Sequence, residues 1–209
     1  MINMMVKIAE KLLEKIKEYN IKYHLNVDSK LIEGVIDFIK EQHTDQKRHS
    51  GEPYYYHPIE VAVIVMDYFF DTETIIAALL HDIVEDTNFS LNQINFLFGE
   101  EIASLIDQLT KLDNNAVLKL KLSKEENVCK LINLNSNNKK IFAIKLSDRL
   151  HNMRTIEYVK PIEKQQKIAL ETLQLFIPIA RYTGMTQLEL ELHELVIKVL
   201  NKNKIEDSL

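Results

Sequence analysis

Apolar residues along this chain recur at the three- and four-residue intervals of an amphipathic helix, and no segment sustains the alternation of apolar and polar positions that a strand would show. Only four glycines and four prolines interrupt the 209 residues, so there is little to break helices apart. Start signals with a physical basis stand at Ser90-x-x-Gln93, Ser123-x-x-Glu126 and Thr186-x-x-Glu189, where a hydroxyl and an amide or carboxylate can satisfy each other's backbone N–H groups. Asp71 is placed to cap the helix after it, and Pro58 has the preference of a first helical position. Gly99 and Gly184 mark helix ends, and Gly51 lies in a polar loop from about His43 to Tyr56. The pattern predicts an all-α fold, a compact multi-helix bundle of roughly nine or ten helices. A surface turn is expected over Ile132 to Lys140, where asparagines crowd, and a frayed tail from Lys202 to Leu209.

Composition narrows the function classes. With 46% hydrophobic residues the chain can bury a sizeable core, and its length suits a single domain, 1–209. The formal charge of −5 offers nothing to a nucleic-acid backbone or an anionic membrane, so no nucleic acid and no membrane is expected as partner, and an anionic ligand must be gripped locally. One cysteine, Cys129, cannot form an internal disulfide and excludes a cysteine-rich metal site. Apolar runs are too short to span a bilayer, and Met1 to Asn20 lacks the apolar stretch of a secretion signal; the expected location is the cytoplasm.

Against that background the segment Ala77 to Thr87 stands out, because an apolar helix is interrupted by His81, Asp82, Glu85 and Asp86. On a continuous helix these four share an arc of about 140°, with Leu80, Ile83 and Val84 opposite. Charges at helical spacing ordinarily mark a solvated face. Three carboxylates gathered on a half-buried face instead need a cation or hydrogen-bond donors, and a divalent metal would serve. A second segment, Lys145 to Thr155, places Asp148, Asn152 and Thr155 at i, i+4 and i+7, with Phe142, Leu146, Leu150 and Met153 on the other side. The third element is the loop Lys47 to His57, which combines two cations, the Ser50 hydroxyl and Gly51.

Together, Arg48-x-Ser-Gly-Glu-Pro-Tyr-x-x-His-Pro58, His81-Asp-x-Val-Glu-Asp-Thr87, Thr110-Lys-Leu112 and Lys145-Leu-x-Asp-Arg-Leu-His-Asn-Met-Arg-Thr155 resemble the metal-dependent HD phosphohydrolases, and among them the hydrolase domain of the RelA/SpoT family. The resemblance runs from about Asp28 to Leu195, in the family's order and at similar intervals. It implies an HD-domain bundle that removes the 3′-pyrophosphate from guanosine tetra- and pentaphosphate (ppGpp and pppGpp), giving GDP or GTP and pyrophosphate. It further implies His57, His81, Asp82 and Asp148 as metal ligands, Glu85 and Asp86 as the pair serving the attacking water, and Arg48, His49, Ser50, Asn152 and Thr155 as positions facing the nucleotide.

Two imidazoles and two carboxylates are a mixed set suited to Mn²⁺, Fe²⁺ or Co²⁺ rather than to a thiolate-rich zinc site, and the resemblance favours Mn²⁺. The chain departs from the family pattern at His49, where relatives often carry lysine, at Cys129, which replaces an arginine, and around Arg181. No synthetase or regulatory domain is expected in this length, so degradation alone is the expected activity. An HD phosphohydrolase for another nucleotide, or a catalytically retired alarmone-binding domain, are the alternatives. Oligomeric state has no signature in the sequence.

Overall fold

The structure is a computed structural model that describes residues 2–114 and 139–206. The Ser123 start signal, Cys129 and the asparagine-rich turn as far as residue 138 lie outside the described residues. Among the described residues there is no sheet, only an isolated bridge between Lys47 and Pro53, so the all-α expectation holds. No helix is long and apolar enough to cross a membrane, among those residues. The chain divides into two units, residues 1–111 and 112–209.

In the first unit, α1 (Ile2–Tyr23) and α2 (Ser29–Gln42) turn about a short loop that Asn20 braces. Its Nδ2 donates to the Val27 carbonyl and its Oδ1 accepts from the Val27 N–H, both at 2.9 Å. Asp28 caps α2 by accepting from the N–H groups of Lys30 and Leu31. The apolar stripe of α2, Ile32, Val35, Ile36 and Ile39, is wholly buried, each such side chain contributing roughly 1.5–3 kcal/mol relative to exposure. α3 (Tyr56–Val65) is buried on nearly every side, and α4 (Thr72–Leu79) packs against it. Asp71 caps α4 as expected, accepting from the Thr74 N–H at 2.9 Å. Ser90 and Gln93 make the anticipated reciprocal cap of α6 (Leu91–Phe98), and Phe38 packs edge-on to Phe89 and Phe98 to hold that end against α2. Between α4 and α6 lies the single turn α5 (Ile83–Asp86), and α7 (Glu100–Asn114) follows Gly99. Pro58 is the third residue of α3 rather than its first, because Tyr56 and His57 already take helical conformation.

In the second unit, α8 (Lys139–Arg154) is the central element, with every residue from Ile141 to Ser147 buried. The two-sided pattern expected there is therefore only partly realised: Lys145 and Ser147 are inside with the apolar residues. α8 packs against α10 (Ile177–Thr183) and α11 (Thr186–Glu206). Arg154 grips Glu191 of α11 through both Nε and Nη2, at 2.6 and 2.8 Å. α9 (Ile162–Glu171) runs into α10 through a π-helical turn, Thr172–Phe176, which brings Phe176 beneath the Arg149 guanidinium, 3.9 Å from its ring centre, while Arg149 pairs with Glu171 at 3.1 Å. Gly184 closes α10 at φ +75°, a left-handed position a side chain would strain. α11 begins at Thr186 as expected, but Glu189 is engaged by Arg181 Nε at 2.7 Å. The helix persists to Glu206, four residues past the expected start of fraying, and 207–209 lie outside the described residues.

Candidate metal centre

The expected continuous helix from Ala77 to Thr87 does not exist. α4 stops at Leu79, Leu80 to Asp82 form a turn, and α5 restarts at Ile83. The cause is local. In an uninterrupted helix the Ala78 carbonyl would accept from the Asp82 N–H, but here His81 Nδ1 takes that carbonyl at 2.8 Å, and the Ile83 N–H closes a tighter loop onto the Leu80 carbonyl at 3.0 Å. Because the carbonyl only accepts, Nδ1 carries a proton, and in the neutral ring the lone pair is therefore on Nε2. His81 and Asp82 thus occupy the turn between the two helices, and the four polar residues do not share one arc. His81 is buried, the Asp82 side chain is 21% exposed, and Glu85 and Asp86 are exposed on α5.

His57, buried in the first turn of α3, faces this turn. Its ring lies edge-on to that of His81 with centres 5.2 Å apart, and one ring nitrogen from each falls within 4.8 Å of the other. Asp82 Oδ2 is 3.1 Å from His81 Nε2 and 3.7 Å from His57 Nε2. A carboxylate oxygen and a nitrogen lone pair repel at that separation unless a proton or a cation lies between them. Two imidazole nitrogens and a carboxylate converge here, no thiolate does so among the described residues, and the donor set fits a divalent ion of the Mn²⁺, Fe²⁺ or Co²⁺ type. His57, His81 and Asp82 are therefore a His/His/Asp cluster able to coordinate a divalent metal.

Tyr54 escapes a reading of charge and spacing, yet its hydroxyl donates to Asp82 Oδ2 at 2.6 Å. Burial, then the Asp82 carboxylate and the neighbouring Asp86, push the phenol far above its usual range, so it remains a donor. Its ring lies 4.9 Å from that of the buried His43. Gln46 also belongs to this region, donating from Nε2 to the Asp86 carbonyl at 2.9 Å. Tyr54 stands within the quoted loop motif, though with no role attached to it, and Gln46 lies just before that motif.

The loop itself is a tight reversal in which the Arg48 N–H donates to the Glu52 carbonyl and the Gly51 N–H to the Arg48 carbonyl, each at 2.9 Å. Gly51 has φ +85°, the position for which the loop needs a glycine. Arg48 and Ser50 are half-buried, with the Ser50 hydroxyl donating to Glu52 at 3.0 Å, and His49 is exposed.

In the second unit, Asp148 and Asn152 are half-buried one turn apart on α8, with Asn152 Nδ2 donating to Asp148 Oδ1 at 2.6 Å. Thr155, just past the helix end, donates its hydroxyl to the His151 carbonyl at 3.1 Å.

Known proteins resemble the chain in sequence and in fold. The family model for the HD domain matches residues 36–186. The guanosine-3′,5′-bis(diphosphate) 3′-pyrophosphohydrolase of Aquifex aeolicus is 38% identical over 202 residues, 97% of this chain and 28% of that protein. The GTP pyrophosphokinase rsh of Brucella melitensis is 39% identical over 180 residues, 86% of this chain and 24% of the relative. The chain thus spans about a quarter of the length of these curated relatives. The solved structure of a metazoan orthologue of SpoT, a protein that hydrolyses ppGpp and plays a role in starvation responses, superposes with a TM-score of 0.65 at 26% identity, covering 83% of this chain and 97% of that one. With the HD model matched across both the His-Asp turn and the Asp148 helix, the chain belongs to the HD domain superfamily and is a homologue of the RelA/SpoT-like hydrolases.

Proposed function

We propose that this protein is a metal-dependent phosphohydrolase that removes the 3′-pyrophosphate from ppGpp and pppGpp. The observation that carries the reading is the His57–His81–Asp82 cluster, in which the Nδ1 proton of His81 is committed to the Ala78 carbonyl and the other ring nitrogen is left as a ligand. The Brucella relative is named for transferring pyrophosphate to GTP and the Aquifex relative for removing it; a His/His/Asp cluster supports the hydrolytic chemistry.

In this reading Asp148 is the fourth ligand, and Mn²⁺ is the ion. A divalent ion in such a site, when bound, polarises phosphoryl oxygens and lowers the pKa of water. Glu85 and Asp86, exposed at the far side of the His-Asp turn, take the proton from the attacking water and return one to the leaving 3′ oxygen. Water adds to the phosphorus attached to the ribose 3′ oxygen, that P–O bond breaks, and the 3′ oxygen leaves with a proton as GDP or GTP while pyrophosphate departs. Arg48 stacks on the base or forks onto a phosphate, and His49, Ser50, Asn152 and Thr155 line the nucleotide.

The test is turnover of ppGpp by the purified chain with Mn²⁺, following GDP and pyrophosphate together. Stoichiometric release of both is expected. Intact ppGpp alongside hydrolysis of another nucleotide would assign the same scaffold to a different substrate, and no turnover of any nucleotide would leave a binding domain.

A further inference from the structure

The loop that carries Arg48 and Ser50 is closed at its base by Gln46 and Tyr54, whose main chains pair through a Tyr54 N–H to Gln46 carbonyl bond of 2.9 Å, with Lys47 and Pro53 bridged just inside. The side chains of the same two residues reach the His-Asp turn at its opposite ends. Tyr54 donates to the Asp82 carboxylate at 2.6 Å, and Gln46 donates to the Asp86 carbonyl at 2.9 Å. That carbonyl ends the four-residue helix α5 and has no acceptor role left within it, so Gln46 supplies the cap that so short a helix lacks. The amide cannot flip. Its Oε1 is held 2.7 Å from Nδ1 of His43, a residue only 2% exposed, and the His43 ring in turn lies against Tyr54. The buried His43 and the half-buried Gln46 and Tyr54 therefore form one connected support joining loop, turn and α5.

We propose that Gln46 and Tyr54 are positioning residues, a two-point clamp that sets the Asp82 carboxylate for the metal and the Glu85–Asp86 segment for proton transfer, and fixes both relative to the loop. The inference rests on the proposed metal and catalytic roles of that turn, and it assigns the two ends of the clamp different consequences. Tyr54 orients a ligand; Gln46 orients the carboxylates beyond it.

Two measurements test it. Titration with Mn²⁺ alone, without nucleotide, is expected to show affinity about 10–100-fold weaker in Tyr54→Phe, which keeps the ring on His43 and removes only the donor. The same titration of Gln46→Met should match the wild type within about twofold, while its Glu85–Thr87 amides exchange with solvent at least about fivefold faster and kcat for ppGpp falls about tenfold at unchanged KM. Gln46→Glu, isosteric but without the NH₂ donor, should behave like Gln46→Met. Wild-type Mn²⁺ affinity in folded Tyr54→Phe, or unaltered exchange and kcat in both Gln46 variants, would overturn the clamp. Failure of the wild type to cleave ppGpp would overturn the substrate assignment instead, and the metal titration and amide exchange would still decide the clamp.

Discussion

Asn152 donates from Nδ2 to Asp148 Oδ1 across 2.6 Å, one helical turn along α8, so the residue assigned to the nucleotide also orients the carboxylate assigned to the metal. An amide carries one acceptor oxygen and two N–H donors, so both proposed duties are within the capacity of one side chain. Asn152→Ala is expected to raise KM for ppGpp about tenfold and to weaken Mn²⁺ binding about 10–100-fold. Parallel kinetics and Mn²⁺ titration check this; a change in KM with unaltered Mn²⁺ affinity would confine Asn152 to the nucleotide.

Metal dependence gives the next expectation. Chelation with EDTA followed by dialysis should abolish turnover, and Mn²⁺ should restore it, because neutral water is a poor nucleophile without a Lewis acid. Asp82→Asn should lose bound metal together with rate, since it removes the charge from an oxygen that lies 3.1 Å from one imidazole nitrogen and 3.7 Å from another. Elemental analysis beside kcat distinguishes the outcomes: a metal-free variant with normal turnover would refute the ligand assignment.

Glu85 should behave differently from Asp82. It lies exposed on α5 beyond the ligand turn, so Glu85→Gln is expected to retain fold and metal while kcat drops by roughly 10²–10⁴-fold. Loss of metal in step with kcat would make Glu85 a ligand.

What the sequence disclosed and what it hid divide along the range of the interactions. Caps at Asp71 and Ser90 and the stop at Gly184 depend on residues within a few positions of one another, and each was readable because its chemistry is local. His81 and Asp82 stood out because ionisable residues interrupt an apolar stretch, whereas His57 and Asp148 were named as ligand candidates only through the family resemblance. The break at Leu80–Asp82 was not readable: neither glycine nor proline marks it, and it depends on a ring nitrogen competing for a backbone carbonyl. Nor was the burial of Lys145 and Ser147 on α8, since a central helix is covered on the side that a two-faced pattern leaves to solvent. The contacts of Gln46 and Tyr54 were hidden for a third reason, although Tyr54 stands in the loop motif. Their partners lie 40 and 28 residues away, and nothing in a tyrosine or a glutamine announces such a contact.

In the proposed reading, the loop carries recognition of the nucleotide. Arg48 is planar and permanently charged, and its main chain is pinned in the reversal by two hydrogen bonds, whereas neighbouring His49 is exposed. Arg48→Ala is expected to raise KM about tenfold or more, equivalent to roughly 1.4 kcal/mol, with a smaller change in kcat. Steady-state kinetics over a range of ppGpp concentrations reads the two constants apart; an unchanged KM would remove Arg48 from the nucleotide site.

The hydrogen bond from His81 to the Ala78 carbonyl gives one side chain both a candidate ligand nitrogen and a part in the break of a helix. Replacing it with alanine, the strongest helix former, would return that carbonyl to the backbone and allow α4 to grow through the turn into α5. Such regrowth would be opposed by Tyr54 and Gln46, which hold Asp82 and the Asp86 carbonyl from outside the helix. Loss of this histidine would therefore remove a candidate ligand and loosen the turn that carries Asp82 at the same time, so an imidazole supplied from solution would restore only the first of the two.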